Sequence, residues 1–361
     1  MTTVPTRTVR LCKPVDFIAM AAYLLGFHPE RSIVVMAFDS GTSGPDANSA
    51  GLGVVVRFDL PEDANDGPDL AGRLTEMLKR NDATHVILIG YGSGQEVTPT
   101  MDAVRLAVAA AGVPTADVLR VHDGRYWSYV CPDPGCCAPE GTPYDVAGTE
   151  TAAEAVLAGF AVARDRGAFA QRLASVTGPE REAVQEATRT ARSRAQTLLD
   201  TGHDWYQEGL ERLTTALDRA QVGEQLTDDE VAWLGVLLTG IAVRDAALTM
   251  IGPYSHETHI RLWSEVVRQV EPGYVAAPAA VLAFVALLSG DGALSRVAVD
   301  RALTDDPSYR FANMIAFTLD HGIPPEQIAE VDWAGLADEI AANAKRYPLT
   351  AQPTLPSGGD Q

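Results

Sequence analysis

Apolar residues recur along the first 145 positions in two rhythms. Short runs rich in Val and Ile, "SIVVMAF" (32–38), "GVVVRFDL" (53–60) and the uninterrupted "HVILIG" (85–90), read as strands. Helical periodicity appears in three places. One stretch runs from Asp16 to Leu25, with Pro14 near its start and Gly26 as its stop; the others are "DLAGRLTEMLKR" (69–80) and "TMDAVRLAVAAAG" (100–112). The polar stretch 39–50 has no helical period, so no crossover helix separates the first two strands, and they are predicted to be antiparallel neighbours. The unbroken apolar run at 85–90 predicts a strand covered on both faces. "DVLRVHD" (117–123) and "RYWSYVC" (125–131) predict a hairpin about Asp123-Gly124.

From Thr149 onward the period is helical throughout. Capping boxes are predicted at Thr151-Ala-Ala-Glu154 and Thr227-Asp-Asp-Glu230, and Pro179 suits the first turn of a charged helix. "VLAFVALLSGDGALSRVAVDRALTDDP" (281–307) reads as two helices joined at Gly290-Asp291-Gly292. Its length and closing Ala302-Leu303 and Pro307 are tetratricopeptide-like. The expected fold is therefore α/β plus all-α. Residues 1–147 form an α/β domain with a mixed sheet and a Cys/Pro loop, 148–347 a helical domain, and 348–361 a disordered tail.

Charge narrows the partners. The chain carries 48 acidic and 28 basic residues, net −20. Residues 1–150 hold 19 acids and 11 bases, net −8, so the remainder carries −12 and both halves are acidic. Nucleic acid and anionic membrane surfaces are thus unfavoured partners, and the helical domain with its tetratricopeptide-like hairpin leads to a protein partner as the expectation. The N-terminal residues lack the apolar segment of a signal peptide, and "VAWLGVLLTGIAV" (231–243) is too short to span a bilayer. The expected location is cytoplasmic, where structural disulfides are rare.

Three stretches taken in order, "YLLGFHPERSIVVMAF", "RYWSYVCPDPGCCAPEGTP" and "GDGALSRVAVDRALTDDPSYRFANM", resemble an uncharacterised bacterial family found mainly in actinobacteria, domain of unknown function 4192. The resemblance spans about residues 12–320. It implies the domain layout and supplies no catalytic residues.

Candidate chemistry is sparse. Cys131, Cys136 and Cys137 lie in "CPDPGCC", bounded by prolines. The cysteine spacing could serve zinc, with Cys12 or His122 as a distant fourth ligand, or thiol redox chemistry. The preferred reading is a stiff structural connection in which Cys131 points into the core. No cofactor is predicted. "IGYGSGQE" (89–96) follows a strand, so Gly90, Gly92 and Gly94 are a candidate phosphate loop. A helix start only near Thr98-Pro99, and the charge of Glu96, count against it. "GFHPERS" (26–32) crowds His28, Glu30, Arg31 and Ser32 into one loop. It lies at the N-terminal end of its strand, whereas ligands in open α/β sheets favour C-terminal ends. Asp39 and Asp59 close two strands that, if antiparallel, hold them at opposite ends of the sheet. His256 and His259, one turn apart, read as a solvated first turn rather than a metal pair. Arg244 and Asp245 interrupt an otherwise apolar helix of nearly five turns. They are expected to be buried, each paired with a charge from another helix, or to form a polar ligand site between domains. The leading functional expectation is a non-catalytic interaction or regulatory module. The alternatives are an enzyme with its site in the interdomain cleft and a zinc-stabilised binding protein.

Overall fold

The computed structural model describes residues 11, 13–39, 51–63, 66–133, 137–157, 159, 161–329, 332–344 and 349. Cys12, Cys136 and, apart from Leu349, the tail from 348 lie outside the described residues.

In chain order the elements of the first part are α1 (Pro14–Leu25), β1 (Ser32–Asp39), β2 (Gly51–Asp59), α2 (Gly67–Arg80), β3 (His85–Tyr91), α3 (Gly94–Ala110), β4 (Thr115–His122), β5 (Arg125–Ser128), β6 (Thr142–Pro143), α4 (Glu150–Leu157) and α5 (Arg166–Ala170). Helices follow: α6 (Pro179–Thr201), α7 (Trp205–Gln221), α8 (Asp228–Leu237), α9 (Ile241–Thr249), α10 (His256–Gln269), α11 (Ala276–Leu288), α12 (Gly292–Asp305), α13 (Arg310–Asp320), α14 (Pro325–Ala329) and α15 (Trp333–Asn343). Contacts divide the chain into two compact units: Met1–Phe169 with His321–Pro324, and Ala170–Asp320 with Pro325–Gln361.

The first unit is built on a six-stranded mixed sheet of order β2-β1-β3-β4-β5-β6. β1 pairs antiparallel with β2, as the missing crossover predicts, and antiparallel with β3. β3 and β4 are parallel, joined by α3. Period-2 alternation sends Ile33, Val35, Ala37, Val86, Leu88 and Val118 to one face, where they form a core with the apolar stripes of α2 and α3. Val34, Met36 and Ile89 point the other way and are equally buried. α1 lies against β2, and α4 packs on α1. Thr151 Oγ1 donates to Asp16 Oδ1 between the two helices (3.3 Å). Helical periodicity thus begins within the first unit, and the contact division falls at Phe169/Ala170 rather than at 147/148. The predicted capping box at Thr151 does not form. The Ala152 amide donates to Thr149 Oγ1 instead (3.0 Å), because α4 starts one residue before Thr151.

In the second unit α11 is buried from Ala276 to Leu287, as an all-apolar helix must be, and packs against α10 and α12. The box at Thr227 forms as predicted: its Oγ1 accepts from the Glu230 amide (3.3 Å), and Glu230 Oε2 accepts back from the Thr227 amide (2.7 Å). The apolar run 231–250 is not one helix. It breaks between α8 and α9 with a bend of 106°. Gly240 sits at the break, where a Cβ would stand 2.5 Å from the Trp205 ring, so the indole fills the corner. Among the described residues no single helix is long and apolar enough to cross a membrane.

Candidate functional site

Antiparallel pairing of β1 with β3 places the start of β1 beside the ends of β3 and β4: Ser32 faces Tyr91, and Tyr91 faces Val121. The loop 26–32 therefore lies at the C-terminal edge of the parallel pair, where ligands of open α/β sheets bind. This reverses the expectation drawn from its position at the N-terminal end of its own strand. The loop is held by local rules. Gly26 ends α1 in the left-handed region, Pro29 is buried, and Arg31 itself has φ +40°. A parallel bridge to residue 163 pins the far side: the His28 amide donates to the Ala163 carbonyl (3.1 Å), and the Ala163 amide donates to Gly26 (2.8 Å).

A cleft of about 690 Å³ opens at this edge. Its apolar lining includes Ile18, Ala22, Val121, Val146 and Val162, and three tyrosines, Tyr23, Tyr91 and Tyr144, join it. The polar groups are His28, Glu30 and Arg31 from the first loop, Glu96 from α3, His122 and Asp123 from the β4–β5 turn, and Asp145 beyond β6. That turn forms as predicted, with φ +47° at Asp123 and +70° at Gly124, and the Tyr144 amide donates to the Gly124 carbonyl (3.2 Å).

The electrostatics are uneven. Arg31 Nη1 bonds Glu96 Oε1 at 2.5 Å. Glu96 Oε2 also accepts from the Ser93 hydroxyl (2.7 Å) and amide (3.1 Å). These bonds from Ser93, with Arg31 adding, hold its carboxyl below the usual range. His122 Nε2 stands 3.4 Å from Asp123 Oδ2. Tyr91, another lining residue, is 6% exposed, and its Oη has no hydrogen-bond partner among the described residues. Burial, and secondarily Tyr144, pushes this phenol far above its ordinary value, so it stays protonated at any physiological pH. Burial also raises Tyr144.

The glycine loop serves packing. A Cβ on Gly90 would stand 2.3 Å from Val97 Cγ1, so this glycine lets α3 press onto β3. Gly92, at φ +143°, lines the cleft, and its amide donates to Val121 O (2.9 Å). Gly94 is the first residue of α3, four residues earlier than expected at Thr98. Ser93 and Glu96 form a full capping box, and Pro99 is tolerated inside the helix. The Glu96 carboxylate thus occupies the position a phosphate would take.

Arg244 and Asp245 lie in the second unit and correct a different expectation. They bond each other, Arg244 Nε to Asp245 Oδ1 at 2.7 Å, and Arg244 Nη1 donates to Tyr309 Oη (3.2 Å). Its guanidinium also stands 5.2 Å from the Phe311 ring centre. Adjacent Cβ atoms diverge on a helix, but a long guanidinium stem folds back across one residue, so no second charge is needed.

Cys131 is half-buried and lies past the end of β5, which stops at Ser128, so it does not enter the core as alternation predicted. Ser128 Oγ takes the Val130 and Cys131 amides and turns the chain away (3.3 and 3.2 Å). Cys137 is half-buried as well, and Cys136 lies outside the described residues. Asp39 and Asp59 each end their strand and so sit at opposite ends of the antiparallel β1–β2 pair, as expected. Ser255 caps α10 as read, its Oγ accepting from the Thr258 amide (3.2 Å). His259 is not solvated. It is fully buried, its Nε2 3.1 Å from Met250 O, and its Nδ1 accepts from the Trp263 indole (3.2 Å). Both nitrogens are used, which leaves none for a metal.

Tyr23, Tyr91, Tyr144 and Asp145 escaped the reading of the sequence. Tyr91 alone carried a signal, as the residue that ends an apolar strand just before a glycine loop.

The chain matches the family model described as Domain of unknown function (DUF4192) over residues 14–326, and it belongs to that family. No curated protein and no solved structure matches it.

Proposed function

We propose that this member of the domain of unknown function 4192 family is a non-catalytic regulatory module that binds a small molecule in the cleft at the C-terminal edge of β3 and β4. One observation carries the reading: Tyr91 lines the cleft, and its buried hydroxyl has no partner among the described residues. A buried hydroxyl left unpaired costs about 1–3 kcal/mol. A binding site retains such a cost when a ligand repays it. The volume is that of a small-molecule site, and apolar walls with a few converging polar groups are its usual composition.

The test combines stability with binding. Tyr91→Phe removes the orphan hydroxyl, so the unliganded protein should become no less stable and gain up to about 1 kcal/mol. A thermal-shift screen of small metabolites on the full chain should find compounds that raise the midpoint by several degrees. The Tyr91→Phe variant should lose most of that shift. A destabilised Tyr91→Phe protein, or ligand shifts that survive the substitution, would refute the role given to this group.

A further inference from the structure

We infer that the ligand of this cleft is an organic cation, an amine whose charged nitrogen is held between tyrosine rings and a carboxylate rim. This rests on the cleft being a binding site. Four carboxylates line it, Glu30, Glu96, Asp123 and Asp145, against one guanidinium, Arg31. Arg31 is already bonded to Glu96, which removes the pair from the count. The neighbouring Arg164, whose charge reaches Glu30, is held by Asp165 at 2.8 Å. Glu30, Asp123 and Asp145 remain on the exposed rim, and among the described residues no Lys or Arg other than Arg31 lines the cleft. A phosphate or carboxylate ligand would enter a field of its own sign, whereas an ammonium ion would be drawn in.

The acidic rim is joined by an independent feature. Tyr91, only 6% exposed, offers a hydroxyl oxygen with no donor among the described residues, and an N–H of the ligand can supply one. Tyr23, Tyr91 and Tyr144 line the cleft, and tyrosine rings carry the negative quadrupole that recognises ammonium groups. Ile18, Ala22, Val121, Val146 and Val162 suit an alkyl or aryl body attached to that nitrogen. Rim, phenols and apolar wall together describe a hydrophobic amine.

Isothermal titration of the full chain with tyramine and spermidine, against uridine and adenosine monophosphate as neutral and anionic comparators, decides the matter. At least one amine should bind, more weakly as salt rises. Tyr91→Phe should weaken it about tenfold or more, since the bond lost is to a charged group. The combined variant Glu30→Gln, Asp123→Asn, Asp145→Asn should weaken it and flatten the salt dependence while leaving the melting midpoint in place. If uridine or the monophosphate binds in a Tyr91-dependent manner and the amines do not, the cleft is a site but the cation assignment is wrong. If neither amine binds at millimolar concentration, the cation assignment also falls. If no compound in the wider metabolite screen gives a shift that depends on Tyr91, the binding reading itself falls.

Discussion

Asp305, in the last turn of α12, caps a different helix. Its carboxylate accepts the amides of Gly273 (2.6 Å), Val275 (3.0 Å) and Ala276 (3.0 Å) at the start of α11. Val275, the residue before α11, has no side-chain oxygen to do this. Asp305→Ala therefore removes three hydrogen bonds, together with a negative charge at the positive end of the helix dipole. A hydrogen bond of this type contributes about 1–1.5 kcal/mol net. Three that share one half-buried carboxylate do not add fully, and the combined loss should be about 3 kcal/mol. Loosening is not confined to the helix end, because α11 is buried along nearly its whole length. For a unit of this size, each kcal/mol moves the melting midpoint by about 2–4 °C, so a fall of about 6–12 °C is expected. Urea unfolding followed by far-ultraviolet circular dichroism measures it: the midpoint should drop with the slope unchanged. Asp305→Asn keeps one acceptor oxygen but turns an NH₂ toward donors, and should fall between the two. An Asp305→Ala protein within about 0.5 kcal/mol of wild type would show that the amides find other partners and that the cap is dispensable.

Three further outcomes follow from the same kind of argument. Gly90→Ala should cost about 1–3 kcal/mol, read as a lowered urea midpoint, because its Cβ would meet Val97 at 2.3 Å and Met101 at 3.1 Å and α3 must lift off β3. His259 is held neutral, its pKa lowered by burial, whereas the unfolded chain protonates near pH 6.5. Its contribution is therefore complete above that pH and is lost as pH falls toward the folded value, with a slope of at most about 1.4 kcal/mol per pH unit. Urea midpoints between pH 7.5 and 5 should show this slope, and His259→Gln should flatten it. Arg244→Ala should destabilise by about 2–3 kcal/mol, since the guanidinium holds both Asp245 and Tyr309; Asp245→Asn should cost less, because that side chain is the more exposed. Equal losses in the two variants would refute the asymmetry.

Local rules written in the sequence determined much of this protein. Alternation and β-branched content marked β1, β2 and β3. Helical periods marked α1 and α2, the Asp123-Gly124 pair set the hairpin, and Thr227 with Glu230 set a helix start. The α/β half followed by helices was legible because each of these features acts within a few residues. Tertiary structure decided the rest. The candidate site was invisible because its parts lie far apart in the chain, at 18–31, 91–96, 121–124 and 144–162, and meet only through strand register. The sequence placed "GFHPERS" at the wrong end of the sheet because it shows where a strand starts but not which neighbour runs the other way. Arg244 and Asp245 read as two separate demands for charge until side-chain reach brought them together, and Asp305 gave no sign of capping a helix that begins 29 residues upstream. Periodicity fixes which face of an element seeks burial, whereas pairing direction, long-range caps and buried polar satisfaction depend on contacts that form only when distant segments pack.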